Sequence, residues 1–411
     1  MNQKIKQILK KIFPANFLHC MKICYLNHIM KKYKKKPINQ EIYDIMPDGI
    51  NLIGDIRAEI GLGQSMRLLA NELEHSHYPF GIYYFPMGGN VRSEDHTWDA
   101  KIKKEYPYKI NLFHINQEAV GTAYLYLDKK IWKNHYNIAF WLWELEEFPK
   151  EHINAIRLFD EIWTPSEFAS RSIRKVTDKP VITIPYHVTA EKSEKFNRQF
   201  FGLPEDEFLF LIMYDTNSTM DRKNPQAAVE AFKKAFSAKQ TEVGLVIKMN
   251  NPLDKDVELI KEQLRGYDNV YFITEVLDKV QVNSLIADVD VFVSLHRAEG
   301  FGLVMTEAML LDTVCIATNW SSNTEFMNSD VACMVDYKMV PVKTKDNIYP
   351  DGNMWADADI EQAAEYMCRL FKDKIHYETL KINARKYIDK KLNLTSVVMT
   401  MENRLKEIGL Q

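Results

Sequence analysis

The sequence has little of what would mark several common protein classes. Its five cysteines (Cys20, Cys24, Cys315, Cys333, Cys368) are odd in number and mostly lie in apolar runs, so they read as reduced packing residues and not as a disulfide framework. Cys20 and Cys24 lack the second pair and the histidine spacing of a zinc site. No run approaches the roughly 20 apolar residues of a membrane-spanning helix. Lys10, Lys11 and Lys22 interrupt the N-terminal apolar residues, which argues against a secretory signal peptide. Basic excess is also missing: a net charge of −3 argues against a nucleic-acid binder. Together these absences predict a cytoplasmic protein.

One absence is local. Residues 1–40 hold no Asp or Glu but ten lysines (Lys4, Lys6, Lys10, Lys11, Lys22, Lys31, Lys32, Lys34, Lys35, Lys36), which leaves −13 for the rest of the chain. Ile5, Ile8, Leu9, Ile12 and Phe13 recur at helical spacing among them. That pattern suits an amphipathic helix lying on an anionic membrane, and the expected location is peripheral on the inner face of the cell membrane. A solvated basic tail has the same composition, and a partner protein is an equal recipient.

What is present is enough for two cores: 411 residues, 46% hydrophobic and 27% charged. Strand-like runs at 50–53, 80–85, 110–115, 138–142, 161–163 and 181–184 precede a polar segment at 191–198. Further strands at 208–213, 244–249, 270–273 and 291–295 alternate with helical stretches. Alternation of this kind implies parallel sheets. The predicted division is a basic segment (1–47), a first Rossmann-like domain (48–198), a second (199–390) and a C-terminal helix (391–411). The polar stretch 338–355 reads as a long loop.

The chain is organised around Val291–Asn323. An apolar strand stops at Leu295, His296 to Gly302 form a glycine turn, and an apolar helical pattern resumes at Val304. In an open α/β sheet such a turn lies at the carboxyl end of a strand, where ligands bind. The glycines let the backbone approach a ligand, and the new helix offers free N–H groups to an anion. Glu299 and Glu307 frame the turn, a carboxylate pair suited to a ligand with hydroxyls and phosphate. A second turn, Gly61-Leu-Gly63, follows the first strand; without a third glycine it is equally explained by helix packing. After the strand ending at Met213, Arg222 and Lys223 stand just before Pro225, a good first residue for a helix. Two cations there would neutralise a leaving diphosphate, although Arg-Lys taken alone is as well explained as surface charge.

These residues carry a resemblance. Glu299-Gly-Phe-Gly-Leu-Val-Met-Thr-Glu307, with Ser294-Leu-His-Arg before it and Ser321-Ser-Asn-Thr-Glu-Phe-Met after it, is similar to the signature of the family 4 retaining glycosyltransferases of GT-B fold. The segments at 51–64, Trp143-Glu144-Leu-Glu146, Arg222-Lys223-Asn-Pro and Tyr349-Pro…Trp355-Ala look like those of bacterial enzymes of O-antigen and capsule synthesis, many of them mannosyltransferases. The likeness spans roughly residues 48–370. It implies two doubly wound domains facing a cleft, with the C-terminal helix crossing back to the first. It also implies a nucleoside diphosphate sugar (GDP- or UDP-linked) as donor, a glycan or lipid-linked glycan as acceptor, and no metal or other cofactor.

By the resemblance, Arg222 and Lys223 hold the diphosphate, Glu299 the donor sugar and Glu307 the ribose. The amides of Gly300, Phe301, Gly302 and Leu303 serve the sugar and phosphates, and Gly61, Gly63, Asn217 and Asn323 complete the donor side. From their places at strand ends rather than from the resemblance, His114 is a further catalytic candidate and Glu144 and His296 are acceptor-side candidates. Asp288-Val-Asp290 invites a metal-binding reading, but it precedes its strand and so lies at the wrong end for the crevice. The non-enzymatic alternative is a GT-B glycan- or partner-binding subunit that has lost turnover.

Overall fold

The computed structural model describes residues 15–86, 91–216, 220–344, 349 and 352–411. Helices α1 (Ala15–Lys32) and α2 (Gln40–Ile45) lead into β1 (Ile50–Gly54), α3 (Gly61–Glu74), β2 (Phe80–Tyr84), β3 (Ile102–Lys103), β4 (Ile110–His114), α4 (Gln117–Tyr126), β5 (Tyr136–Phe140), β6 (Glu161–Thr164), α5 (Glu167–Arg174) and β7 (Val181–Thr183). The seven strands form one parallel sheet in the order β3-β2-β1-β4-β5-β6-β7.

The second half runs β8 (Phe208–Asp215), α6 (Met220–Lys223), α7 (Pro225–Ala235), β9 (Val243–Asn250), α8 (Asp254–Gln263), β10 (Val270–Ile273), α9 (Lys279–Asp288), β11 (Val291–Ser294), α10 (Leu303–Leu310), β12 (Val314–Thr318) and β13 (Cys333–Val335). Its sheet is parallel, in the order β10-β9-β8-β11-β12-β13. Strands β8, β9 and β11 to β13 read as nearly unbroken apolar runs because helices cover both faces.

Both sheets therefore reverse strand order once, at β1/β4 and at β8/β11. A crevice opens at such a reversal, beyond the carboxyl ends of the strands. The turns at Gly54–Gly63, His114–Glu118, Thr216–Lys223 and Leu295–Gly302 leave those four strands, so the topology alone gathers most of the predicted site.

Helices α11 (Ile360–Lys372) and α12 (Lys374–Lys391) stay with the second domain, while α13 (Leu394–Glu407) packs against α3 of the first. Arg404 Nη2 reaches the fully buried Glu161 at 2.5 Å, and Glu402 accepts from the His77 N–H and pairs with its ring Nδ1, each at 2.7 Å. The expected crossing back of the C-terminal helix is what the structure shows.

Several elements differ from the sequence reading. Residues 338–355 are not a featureless loop: β14 (Tyr337–Pro341) and β15 (Met354–Ala358) form an antiparallel hairpin. The apolar-patterned stretch after β5 folds as a 3₁₀ helix, Lys150–Leu158, whose His152 N–H bonds the Pro149 carbonyl three residues back. Helix α4 was not anticipated. Gly121 interrupts its pattern because α1 crosses there, and a Cβ on Gly121 would stand 3.1 Å from Leu26 Cβ.

The basic N-terminal segment is also not wholly a free tail. Leu26 and Met30 of α1 are buried against α4 and the 3₁₀ helix, and Lys35 pairs with Asp160. The proposed amphipathic helix at 5–13 lies outside the described residues. Deleting residues 1–36 therefore removes part of a core and lowers the melting temperature, which thermal denaturation of the truncated protein checks.

Candidate active site

Helix α6 and the Leu295–Gly302 turn build the site together. Asn224, in the left-handed region at φ 51°, ends α6 and lets Pro225 start α7; its side-chain amide donates to the Leu295 carbonyl at 3.1 Å. The Arg297 N–H donates to the Arg222 carbonyl at 2.7 Å, and the Arg297 guanidinium binds the Asp221 carbonyl at 2.8 Å and Asp357 of β15 at 2.7 Å. Its guanidinium also lies over the Trp355 ring, 5.4 Å from the ring centre. The hairpin thus braces the turn.

Arg222 and Lys223 converge on one carboxylate. Arg222 Nη1 lies 3.0 Å and Lys223 Nζ 2.5 Å from Glu299 Oε1. Burial pushes the Glu299 carboxyl up, but Lys223, Arg222 and His296 outweigh it and bring it down to about 2. Burial pulls the Arg222 guanidinium down, and Tyr349, Glu299 and Glu144 more than compensate, so it stays charged. Two cations thus converge on Glu299, with Glu144 acting on Arg222 from the first domain.

The backbone of the turn is fixed from behind: Glu299 N–H donates to Ser321 Oγ at 2.9 Å, and Ser322 Oγ donates to the Glu299 carbonyl at 2.7 Å. Gly302, at φ +104°, begins α10; a Cβ there would meet Met305 Cε at 2.7 Å. Leu303 is the first residue of α10, and Phe301 packs edge-on against Tyr186 of the first domain, centroids 5.0 Å apart. Glu307, deeper in α10 and almost fully buried, pairs with Lys279 Nζ at 2.5 Å.

His296 is fully buried in the second domain. Its Nε2 lies 3.1 Å from Asn323 Oδ1, and the Asn323 amide donates to the Thr318 carbonyl at 3.0 Å. Burial holds the His296 ring below the usual histidine range. The structure thus sets His296 and Asn323 behind the turn, supporting it, and not on a surface turned toward the first domain. Asn217 lies outside the described residues.

From the first domain, His114 ends β4 with its Nε2 2.6 Å from Ser65 Oγ, which in turn bonds the Tyr186 hydroxyl. Its ring stacks on Phe140, and burial brings it down to about 4, so it is neutral at pH 7. Glu144 is partly exposed and meets the turn: a Cβ on Gly300 would lie 3.4 Å from the Trp143 carbonyl oxygen and 3.6 Å from Glu144 Cγ. Gly63 is required for packing, since a Cβ would overlap the Ala58 carbonyl at 1.9 Å, whereas Gly61 has open space.

The contacts that join the domains could not be read locally, although Glu325 and Tyr349 stand in segments noted above. Ser166 Oγ donates to the Gly300 carbonyl at 2.8 Å, and Glu325 caps α5 by accepting from the Glu167 and Phe168 N–H groups at 2.9 and 2.8 Å. Tyr349 packs on Trp143, ring centres 5.8 Å apart. Only the Ser166-x-x-Ala pattern, an N-cap before a helix, was available to flag Ser166. Asp290, of the Asp288-Val-Asp290 pair, is taken up at the opposite strand end by Arg198 at 3.0 Å and the Leu209 N–H at 2.8 Å.

Two parallel Rossmann-like domains facing a cleft, with the last helix returning to the first, define the GT-B fold. Residues 193–387 match the family model described as "Glycosyl transferases group 1". Among solved structures, the chain is similar to sucrose-phosphate synthase from Thermosynechococcus elongatus (TM-score 0.64, 15% identity, covering 88% of this chain and 99% of that one). It is also similar to Anabaena Alr3699/HepE in complex with UDP and glucose (TM-score 0.60, 13% identity, 88% and 100%). A third, S. aureus TarM in complex with UDP and alpha-GlcNAc-glycerol among other ligands, gives TM-score 0.53 and 14% identity over 72% of this chain and 55% of that one. No curated protein sequence matches.

Proposed function

We propose that the chain is a retaining glycosyltransferase of family 4 type. It would move a hexose, mannose among the candidates, from a UDP- or GDP-sugar to a glycan or lipid-linked glycan in surface polysaccharide synthesis. The observation that carries this reading is the convergence of Arg222 and Lys223 on Glu299 at the β8/β11 crevice. Two cations there, beside the start of α10, suit a diphosphate whose charge grows as the glycosidic bond breaks. The group 1 match covers this half of the chain, and two of the similar solved structures, Anabaena Alr3699/HepE and S. aureus TarM, hold UDP.

In this reading Arg222 and Lys223 bind the diphosphate, the amides of Gly300 to Leu303 the phosphates and sugar, Glu299 the sugar hydroxyls and Glu307 the ribose. The acceptor enters over Glu144 and His114. His114, neutral, offers a hydrogen bond and no charge. The acceptor hydroxyl attacks the anomeric carbon on the face the diphosphate leaves, and its proton passes to the leaving phosphate oxygen.

The test is release of nucleoside diphosphate from a panel of UDP- and GDP-sugars in the presence of glycan acceptors, with the anomeric configuration of the product read by NMR. Retained configuration supports the proposal; inversion overturns the mechanism, and no release with any donor returns the chain to a binding subunit. Turnover is expected to survive EDTA, because Arg222 and Lys223 take the electrostatic role a divalent ion would otherwise play. Loss with EDTA and recovery with manganese would refute that part.

No helix among the described residues is long and apolar enough to cross a membrane. We propose peripheral attachment through the N-terminus: the outer face of α1 exposes Met21 and Tyr25 beside Lys22, and Lys31, Lys32, Lys34 and Lys36 follow. Deleting residues 1–14 and replacing Lys22, Lys31 and Lys32 with glutamine should abolish co-sedimentation with phosphatidylglycerol vesicles, and high salt should weaken it in the full chain. Undiminished sedimentation of that variant would show that the segment is not the anchor.

A further inference from the structure

Lys248 is the least expected charge in the molecule. It lies in β9, between β8 and β10, and is fully buried; Glu275 and Asp215 act on its charge, and burial outweighs them and pulls the ammonium down to about 8. An ammonium in such a place is costly unless every N–H is used. All three acceptors it needs are there: the Met249 carbonyl at 3.1 Å, Asn250 Oδ1 at 2.6 Å and the Glu275 carbonyl at 3.1 Å.

What these acceptors belong to gives the lysine its meaning. Glu275 lies on the segment between β10 and Asp278, the N-cap of α9. The next residue, Lys279, carries the ammonium that pairs with Glu307. Asn250 opens a tight turn with Asn251 at φ 52°; the Asn250 carbonyl accepts from the Thr216 N–H at 3.1 Å, and the Asn251 amide donates to Asp215. The buried ammonium thus ties the carboxyl end of β9 to the segment after β10, and the Asn250–Asn251 turn it holds is joined to the end of β8 through Thr216 and Asp215. Arg222 and Lys223 are held separately, by Arg297 and Glu299.

We propose that Lys248 is a positioning residue that shapes the nucleoside end of the donor cleft by fixing the 274–278 segment, and with it Lys279 beside Glu307. The inference rests on the donor reading above, in which Glu307 takes the ribose. It separates the cleft into a phosphate end that does not depend on Lys248 and a nucleoside end that does.

The experiment compares the wild type with Lys248→Met, similar in length but without donors, and Asn250→Ala, which removes one acceptor and leaves the ammonium in place. Binding of UDP, GDP and inorganic pyrophosphate is titrated, and amide exchange of residues 274–278 is followed. Lys248→Met is expected to weaken the nucleoside diphosphate at least ten-fold, to leave pyrophosphate within two-fold, and to speed exchange at 274–278. Asn250→Ala should show the same pattern more weakly, and it carries the test if the methionine variant does not fold. Unchanged diphosphate affinity in a folded variant overturns the proposal, as does an equal loss of pyrophosphate, which would mark general loosening. If the wild type binds pyrophosphate but neither diphosphate, the donor reading itself falls, and this inference with it.

Discussion

Replacing Lys223 with alanine should lower turnover by about two orders of magnitude or more while leaving the melting temperature nearly unchanged. The side chain is 26% exposed, so truncation opens no core cavity, and Glu299 keeps Arg222 at 3.0 Å and its two serine partners. What is lost is a charge facing a diphosphate whose own charge rises toward the transition state, a loss of about 3 to 4 kcal/mol. Part of that charge already exists in the bound donor, so donor affinity should fall too, though by less than the rate. Steady-state kinetics with thermal denaturation of the same preparation checks both. A variant with normal melting and near-normal turnover would return Lys223 to ordinary surface charge.

Arg222→Ala should behave differently. Arg222 is buried, donates to the Ala298 carbonyl at 2.9 Å and to Glu299 at 3.0 Å, and interacts with Tyr349 and Glu144. Removing it takes a buried side chain and its bonds to Ala298 and Glu299 out of the turn, which lowers stability, although Lys223 still compensates Glu299. Turnover should drop at least as far as in Lys223→Ala, because the turn that carries Glu299 loses a support along with the charge. Differential denaturation and kinetics together give the expected pair: lower stability and lower rate here, lower rate alone for Lys223→Ala. Equal melting of the two variants would show that Arg222 is not the structural member of the pair.

The difference between the two neighbours marks how far the sequence could be read. The pair itself was visible because Pro225 fixes a helix start and the Phe208–Met213 run fixes a strand, which together place residues 222–223 at a crevice. Which of the two is buried depends on Ala298 and Glu299, more than 70 residues away, and no local pattern reports that. The strand–turn–helix at Val291–Leu310 was legible for the same reason as the pair: a β-branched run, two glycines and a helical apolar pattern are all local.

The misses have physical causes as well. Lys248 reads as a lone charge in a strand, and only the folded sheet shows that it joins the end of β9 to the segment after β10. Glu325 caps a helix of the other domain across 158 residues, so neither its own helical turn nor the Ser166 cap predicts the contact. The 337–358 hairpin was hidden by its polar residues and by Pro341 at the end of its first strand, where a missing N–H is tolerated. Helix α4 was hidden by Gly121, which is there for the crossing of α1.

The central claim is that the crevice between the domains takes a nucleoside diphosphate with its phosphates on Arg222 and Lys223. Calorimetric titration of the wild type and Lys223→Ala with UDP, GDP, uridine and guanosine tests it most directly. The account predicts that the wild type binds at least one diphosphate much more tightly than its nucleoside, and that Lys223→Ala loses most of that difference while its affinity for the nucleoside is unchanged. Failure of the wild type to bind either diphosphate, or equal diphosphate affinity in the two proteins, would contradict it.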